Sequence, residues 1–275
     1  MNMEEEDEEM DNIPEEGSIA MKIFSCCFQP KVKENELHSE RDFKSMPIYE
    51  SNDSLFPISL IRQEEKEQIK FTRAGLLQYI KNMQNLVFPP LIEEGDIKIS
   101  KRNYTEINGN LPLYRFEVTK HKLYFTQIPS IQSMLNAMTN PELRKKWDKN
   151  IKEFKVVEKL KNNSDIIRMV SNKILAVIPE KEFYDKRYIT NEMGVQYLFS
   201  TSVPDSSYLN TPNIERGTNY ICCLVIKEDE DNFYFDCFNQ IDMNIKIPIE
   251  FIETNLLRKV KNFFDKYFEF LNVLK

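Results

Sequence analysis

The side chains able to do covalent or metal chemistry are few and poorly grouped. The two histidines are His38 and His121, and His121 falls with Lys122 in a short turn between segments that read as strands. Neither belongs to a metal-ligand spacing, and no Cys-x-x-Cys occurs. The cysteines are Cys26, Cys27, Cys222, Cys223 and Cys237. An odd count with two adjacent pairs argues against a disulfide framework and for reduced thiols. Cys222 and Cys223 sit within one strand, so one faces the core and the other the opposite side. Nothing near them in sequence would lower a thiol pKa, so both read as inert. No phosphate-cradling glycine loop and no Gly-x-Ser-x-Gly elbow is present. The expectation is a protein that is not an enzyme, with no cofactor and no metal.

What remains is non-covalent recognition. Arg168 and Arg187 lie on segments rich in apolar residues. Pointing inward, either would need a buried acid such as Asp185 or Asp236, or a ligand head group, because a lone buried guanidinium is too costly to keep. Pointing outward, both would simply be solvated. Tyr184, Tyr188 and Tyr197 are strand aromatics that either pack in the core or surround a choline-type cation. Arg144, followed by Lys145 and Lys146, is either a solvated helix charge or a bidentate holder of phosphate or carboxylate.

The charge balance narrows the partners. Residues 1–20 carry nine acids and no base, so the formal charge of −7 becomes +2 over residues 21–275. Local basic clusters without a basic face argue against nucleic acid. No run of 18 apolar residues occurs, and the acidic N-terminus is the reverse of a signal peptide's layout. A cytoplasmic, monomeric protein is expected.

The elements that must position these residues follow from periodicity. Residues 1–55 form an acidic tail with little apolar patterning, which reads as disordered. Within it, Cys26 and Cys27 stand beside Phe24, Phe28 and lysines, a pattern that fits either an S-acylation site or an unmodified stretch of tail. Acylation would hold the protein at a membrane periphery. Residues 58–86 have helical spacing and end at Pro89-Pro90. Strands are expected at Asp96–Thr105 and Leu113–Thr119, around the hairpin signal Asn108-Gly109-Asn110, and at Lys122–Ile128. Ser130–Ile151 reads as helix, with Ser130 as N-cap and Pro141 as a restart or kink. Six strands are then expected: Phe154–Leu160, Ile166–Ser171, Phe183–Thr190, Val195–Val203, Arg216–Lys227 and Asn232–Met243. The chain closes on a long amphipathic helix, Pro248 to Lys275. Its stripe of Ile249, Ile252, Leu256, Leu257, Val260, Phe263, Phe264, Tyr267, Phe268 and Leu271 must be buried against a sheet. Antiparallel strands with a helix across them make an α+β fold.

At this point the chain resembles the START family (StAR-related lipid-transfer domains) over about residues 60–273. Pro141 to Asp148, PELRKKWD, matches the family's second helix with its Arg followed by Trp-Asp. Ile178 to Asp185, IPEKEFYD, stands where the family has Pro-x-Arg-Asp-Phe, with Lys181 and Glu182 in place of Arg-Asp. Ser200-Thr-Ser, Pro204 and an Arg216 that opens a strand follow in order. Asp242 to Pro248, DMNIKIP, stands where the family has Asp-x-Gly-Gly-x-Ile-Pro, without the glycines.

The resemblance implies a helix-grip fold in residues 56–275, a curved antiparallel sheet of about nine strands wrapped around the C-terminal helix. It implies one lipid, phospholipid or sterol, in an apolar cavity between them, exchanged at a transiently visited membrane surface. The expected head-group residues are Arg144, Arg168, Arg187, Tyr184 and Tyr197. The expected cavity lining is Trp147, Ile252, Leu256, Val260, Phe263, Phe264 and Tyr267, although Trp147 reads first as core packing. In family terms Ile174, Leu175, Val177 and Ile178 are the gate over the cavity mouth; the bare sequence reads them equally well as a buried strand end. The alternatives are a membrane-anchored lipid sensor without transfer activity and, further off, an enzyme of helix-grip shape.

Overall fold

The computed structural model describes residues 73–103, 111–161, 163–173, 179–204, 208, 210–244 and 249–274, and the side chains of the last helix from Glu253 onward. The tail with Cys26 and Cys27, the Asn108–Asn110 turn and the apolar run Ile174–Ile178 lie outside these residues.

Ten strands form one sheet. They are β1 (Pro90–Glu94), β2 (Ile97–Asn103), β3 (Pro112–His121), β4 (Ile151–Lys159), β5 (Ser164–Ser171), β6 (Lys181–Glu192), β7 (Val195–Ser202), β8 (Glu215–Arg216), β9 (Thr218–Glu228) and β10 (Asn232–Asp242). The order is β1-β2-β3-β10-β9-β7-β6-β5-β4, and the two-residue β8 pairs with β6. That short pairing is parallel, and every other pair is antiparallel. The helices are α1 (Arg73–Gln84), α2 (Ile131–Thr139), α3 (Pro141–Trp147) and α4 (Ile249–Val273).

Several features depart from the sequence reading. Residues 122–128 are not a strand. Lys122–Tyr124 is a 3-10 turn, capped by the His121 Nδ1 that accepts from Leu123 N at 3.0 Å. The turn drops Phe125 into the core, edge-on to Phe233 and Phe268 at 5.7 and 5.9 Å, so its apolar residues do not alternate as a strand's would. Residues 130–151 are two helices. Asn140 Oδ1 accepts from Glu142 N and Leu143 N, and Pro141 opens the new helix, so cap and proline together end one helix and begin the next. The first helix ends at Gln84, ahead of the prolines as expected, and Pro90 in addition starts an edge strand, which its missing N–H permits there. The β1–β2 turn uses Gly95 at φ +57°.

Both faces of the sheet are covered. On one face α1 seats Leu76, Leu77, Ile80 and Met83 against Tyr188, Tyr197, Phe199, Cys223, Val225 and Phe238. Gln84 and Arg115 tie this side together through Asp236. On the other face α2, α3 and α4 form a layer over one core that runs from Ile97 and Ile99 of β2 to Phe154, Ile167 and Met169 of β4 and β5. The stripe read from the sequence is the buried face of α4: Leu256, Val260, Phe263, Phe264, Tyr267, Phe268 and Leu271 are all nearly inaccessible. Each such side chain contributes about 1.5–3 kcal/mol relative to exposure. Gly217 is required for close approach, since a Cβ there would lie 2.3 Å from the Phe183 ring.

Candidate functional site

The candidate site is the sheet face beneath α2, α3 and α4. Its centre is defined by register. Pairing across the sheet runs Tyr114–Asn239–Cys222–Ser200–Arg187–Asp165, one residue from each of six strands. Directly opposed residues share a face, so these six side chains form one predominantly polar row under the helices. The Tyr114 hydroxyl donates to Glu253 near the start of α4 at 2.9 Å, which sets the row under the first turns of that helix. The C-terminal half of α4 is filled by rings: Phe235 packs on Phe264, Tyr267 and Phe268 with centroids 5.4–5.9 Å apart.

Arg144 and Arg187 both reach this face, and both are fully engaged. Arg144 donates from Nε and Nη2 to Asp148 Oδ2 at 2.9 and 2.7 Å, and its guanidinium lies 4.5 Å from the Trp147 ring and 5.1 Å from the Phe263 ring. Arg187 grips Asp165 through Nε and Nη2 at 2.9 and 2.8 Å and donates from Nη1 to Thr139 O at 2.6 Å. That carbonyl ends α2, where the helix dipole favours a cation. Burial works against the Asp165 carboxylate, but Arg187 and Lys159 together hold it below the usual carboxylate range.

Arg168, Tyr184 and Tyr197 stand on the opposite face. Arg168 and Tyr184 are directly paired, and Tyr197 packs with α1. Arg168 donates to Glu182 at 2.6 Å and to Thr211 at 2.7 Å, and also pairs with Glu153. Tyr184 stacks on Tyr208 at 4.8 Å, with the Arg216 guanidinium 4.7 Å from its ring. The five nominated head-group residues therefore do not converge. Strand side chains alternate with a period of two, and nothing local in the sequence says which parity faces α4. The arginine partners also differ from expectation: Asp165 serves Arg187, Glu182 and Glu153 serve Arg168, and Asp236 serves Arg115.

Asp185 makes no ion pair with an arginine among the described residues, although the nearby Arg187 charge acts on it. Its carboxylate accepts from Ser202 Oγ at 2.8 Å, Asn219 Nδ2 at 2.9 Å and Ser200 Oγ at 3.2 Å. Asn219 and Asn239 are themselves buried, and the Oδ1 of each has no hydrogen-bond donor among the described residues. Cys222 lies between Asn239 and Ser200, and burial, reinforced by nearby Asp185, pushes its thiol up to about 12. Even so, Cys222 keeps accessible surface, as do Leu198 and Ile189 on the same face, whereas Phe199, Cys223 and Val225 on the α1 side do not. The sequence reading did not nominate Asn219, Asn239 or Ser200, because an isolated polar residue in a strand reads as outward-facing; cross-strand pairing sets Asn239 and Ser200 on this face, and the register shift at Gln240/Ile241 turns Asn219 toward Asp185.

Burial, outweighing hydrogen bonds from Asn219, Ser202 and Ser200, raises the Asp185 pKa above its ordinary 3.8. The folded protein then holds this proton at higher pH than the unfolded chain does. The contribution of Asp185 to stability is complete below pH 3.8 and is lost as pH rises through its folded pKa. Asp185→Asn is expected to raise the melting temperature at neutral pH and to flatten the decline in stability as pH rises above 3.8, measured by calorimetry. A melting temperature that falls at neutral pH would contradict it.

Of the expected lining, Trp147, Leu256, Val260, Phe263, Phe264 and Tyr267 are buried on this side, and the Ile252 side chain lies outside the described residues. Trp147 bonds Ala137 O at 3.0 Å and meets Phe263 and Tyr267 at 5.2 Å. Among the described residues no cluster of metal-ligating side chains occurs, and no helix is long and apolar enough to cross a membrane.

Comparison with known proteins returned no match among curated protein sequences. Among solved structures the chain is similar to human StAR-related lipid transfer protein 5, with a TM-score of 0.60 at 18% identity over 78% of this chain and 97% of that one. Human STARD10 gives a TM-score of 0.61 at 12% identity, covering 74% of this chain and 82% of that one. The lipid transfer and protein localization domain of human StarD13 gives 0.53 at 18% identity, covering 73% and 98%. These identities speak to fold alone. The family model of the START domain matches residues 124–275, more than half the chain and the part that builds α2, α3, the strands from β4 to β10 and α4. With its antiparallel sheet and long closing helix, this chain belongs to the START domain family.

Proposed function

We propose that this protein binds one lipid between the sheet and α4 and exchanges it at membranes. The observation that carries this reading is the residual accessible surface on Cys222, Leu198 and Ile189, on middle strands and on the helix-covered face, with Asn219 Oδ1 and Asn239 Oδ1 buried on that face without a partner among the described residues. Densely packed interiors leave neither. An interior space under the N-terminal half of α4 accounts for both. Family membership supports the same reading, as does the similarity to StAR-related lipid transfer protein 5 and to the lipid transfer and protein localization domain of StarD13.

Lipid chains need a dry container in water, and enclosing hydrocarbon is worth about 0.8 kcal/mol per methylene. The cycle is docking, opening, exchange and closure, with no covalent step. Opening is assigned to the apolar run Ile174–Ile178, on its sequence alone. Organic extraction of the purified full chain, followed by mass spectrometry, is expected to yield about one lipid per protein, and donor-to-acceptor vesicle assays are expected to show transfer. A lipid-free protein inert in vesicle transfer would overturn the reading. Stoichiometric lipid without transfer would favour an anchored sensor instead. Leu175→Asp is expected to slow transfer; an unchanged rate would remove the gate from the mechanism.

A further inference from the structure

One end of the domain carries apolar side chains that the core does not use. Leu123 is 87% exposed, Val273 73% and Ile128 60%, and the Tyr124 ring joins them. Asn272 of α4 brings them together: its Oδ1 accepts from Thr126 N at 3.0 Å and its Nδ2 donates to Tyr124 O at 3.4 Å. The 3-10 turn is thereby fixed beside the last residues of α4, and Tyr124 meets Phe268 with centroids 6.3 Å apart. Apolar side chains grouped on a rigid support mark a contact surface, as single exposed ones do not.

The rim of this patch is acidic. Lys122 N donates to Asp231 O, and its Nζ reaches Glu228 and the Asp229 carbonyl, so the β9–β10 turn with Glu228, Asp229, Glu230 and Asp231 lies alongside. From α4, Asp265 and Glu269 act on Tyr124; burial and then these two charges raise its pKa above the ordinary 10.0. Of the nearby cations, Lys122 is paired with Glu228, and Lys120 lies 3.5 Å from the centre of the Tyr124 ring. A patch so charged repels an anionic membrane and suits an apolar segment that carries lysines. It is also remote from the β5–β6 connection. The patch adjoins His121 and the start of β10 at Asn232, whereas β6 opens beside Gly217, where β10 ends at Asp242, about 30 Å along that strand.

The chain itself holds such a segment. Residues 17–33 are the longest acid-free stretch of residues 1–72. Within it Met21 to Lys33, MKIFSCCFQPKVK, combines Ile23, Phe24, Phe28 and Val32 with Lys22, Lys31 and Lys33. Residues 34–72 join it to α1, and a chain of that length spans up to about 130 Å, enough to reach either end of the domain. We propose that residues 21–33 dock on the patch of Leu123, Tyr124, Ile128 and Val273 of the same molecule, with their lysines against the acidic rim. A tether presents the segment at about millimolar effective concentration, so an intrinsic Kd near 100 μM suffices for about 90% occupancy. The contact sets Cys26 and Cys27 against the domain and needs no bound lipid.

The test uses the full chain carrying Leu123→Cys, mildly oxidised at micromolar concentration. Non-reducing gels separate links within a molecule from links between molecules, and peptide mass spectrometry maps them. A disulfide within the molecule from position 123 to Cys26 or Cys27 is expected to form about tenfold more than from Val157→Cys, an exposed position on the far edge strand β4. Phe24→Asp with Phe28→Asp is expected to remove that excess. In the chain without an added cysteine, the same two substitutions are expected to speed hydrogen exchange of residues 123–128 about tenfold, because these amides lose their cover. Equal linking from positions 123 and 157, or exchange at 123–128 that ignores Phe24→Asp and Phe28→Asp, would overturn the docking. Links formed only between molecules would overturn it as well, and would assign the patch to a second copy of the chain.

Discussion

Arg187→Ala will cost about 3–5 kcal/mol of folding stability. The guanidinium is buried on the sheet face beneath the helices and satisfies three acceptor atoms at once, both oxygens of Asp165 and the Thr139 carbonyl. Truncation leaves Asp165 to the exposed Lys159 alone and strips the C-terminus of α2 of its cation. The large figure measures a charge stranded in a poorly solvated place. It is not the net worth of the ion pair, which costs much of its attraction in desolvation. For a domain of about 200 residues the loss corresponds to a fall in melting temperature of about 6–20 °C. Arg187→Ala combined with Asp165→Ala is expected to cost less than the two single losses together, since the pair acts as a unit. Denaturant unfolding of the three variants checks both statements. A fall of only a degree or two for Arg187→Ala would show that the pair is not buried as described.

Trp147→Ala is expected to cost a similar amount, about 3–5 kcal/mol, by a different route. The only tryptophan joins the three helices of one layer: it stands on α3, donates to Ala137 O of α2, and sets its ring against Phe263 and Tyr267 of α4. Its removal opens a void, leaves a buried carbonyl unpaired and uncovers one side of the Arg144–Asp148 pair. Trp147→Phe keeps most of the ring contact and loses the hydrogen bond, so it is expected to cost less, about 1–2 kcal/mol. Thermal unfolding followed by circular dichroism distinguishes the two, because neither variant retains the intrinsic fluorophore. Equal losses for both would mean that the hydrogen bond, not the ring volume, fixes this layer.

Much of the architecture was legible in the residues. The stripe on α4 follows a 3.6-residue period, and its members from Leu256 onward are buried or nearly so. Pro141 reads as a restart or a kink, and the restart is what occurs, with one helix ending and the next beginning there. Phe183–Thr190 and Val195–Val203 read as consecutive strands, and β6 and β7 do pair there through a two-residue turn, Met193-Gly194, with φ of +50° and +84°. The split of Cys222 and Cys223 between the two faces follows from strand alternation alone. Each of these depends on neighbours within a few positions, and that is the range over which a sequence pattern carries information.

The site was a different matter. Arg168 and Arg187 look alike in sequence, both flanked by apolar residues, yet one faces away from α4 and the other toward it. A shift of one residue exchanges the faces, and only pairing across strands fixes it. The polar row from Tyr114 to Asp165 draws on six strands distant in sequence, and a register shift beside Tyr220 realigns one of them. The sequence by itself determined the elements, their order and the closing helix, because periodicity and caps are local. Tertiary structure alone decided which polar groups meet beneath that helix, because burial and hydrogen bonding are settled by partners that the chain brings together only when it folds.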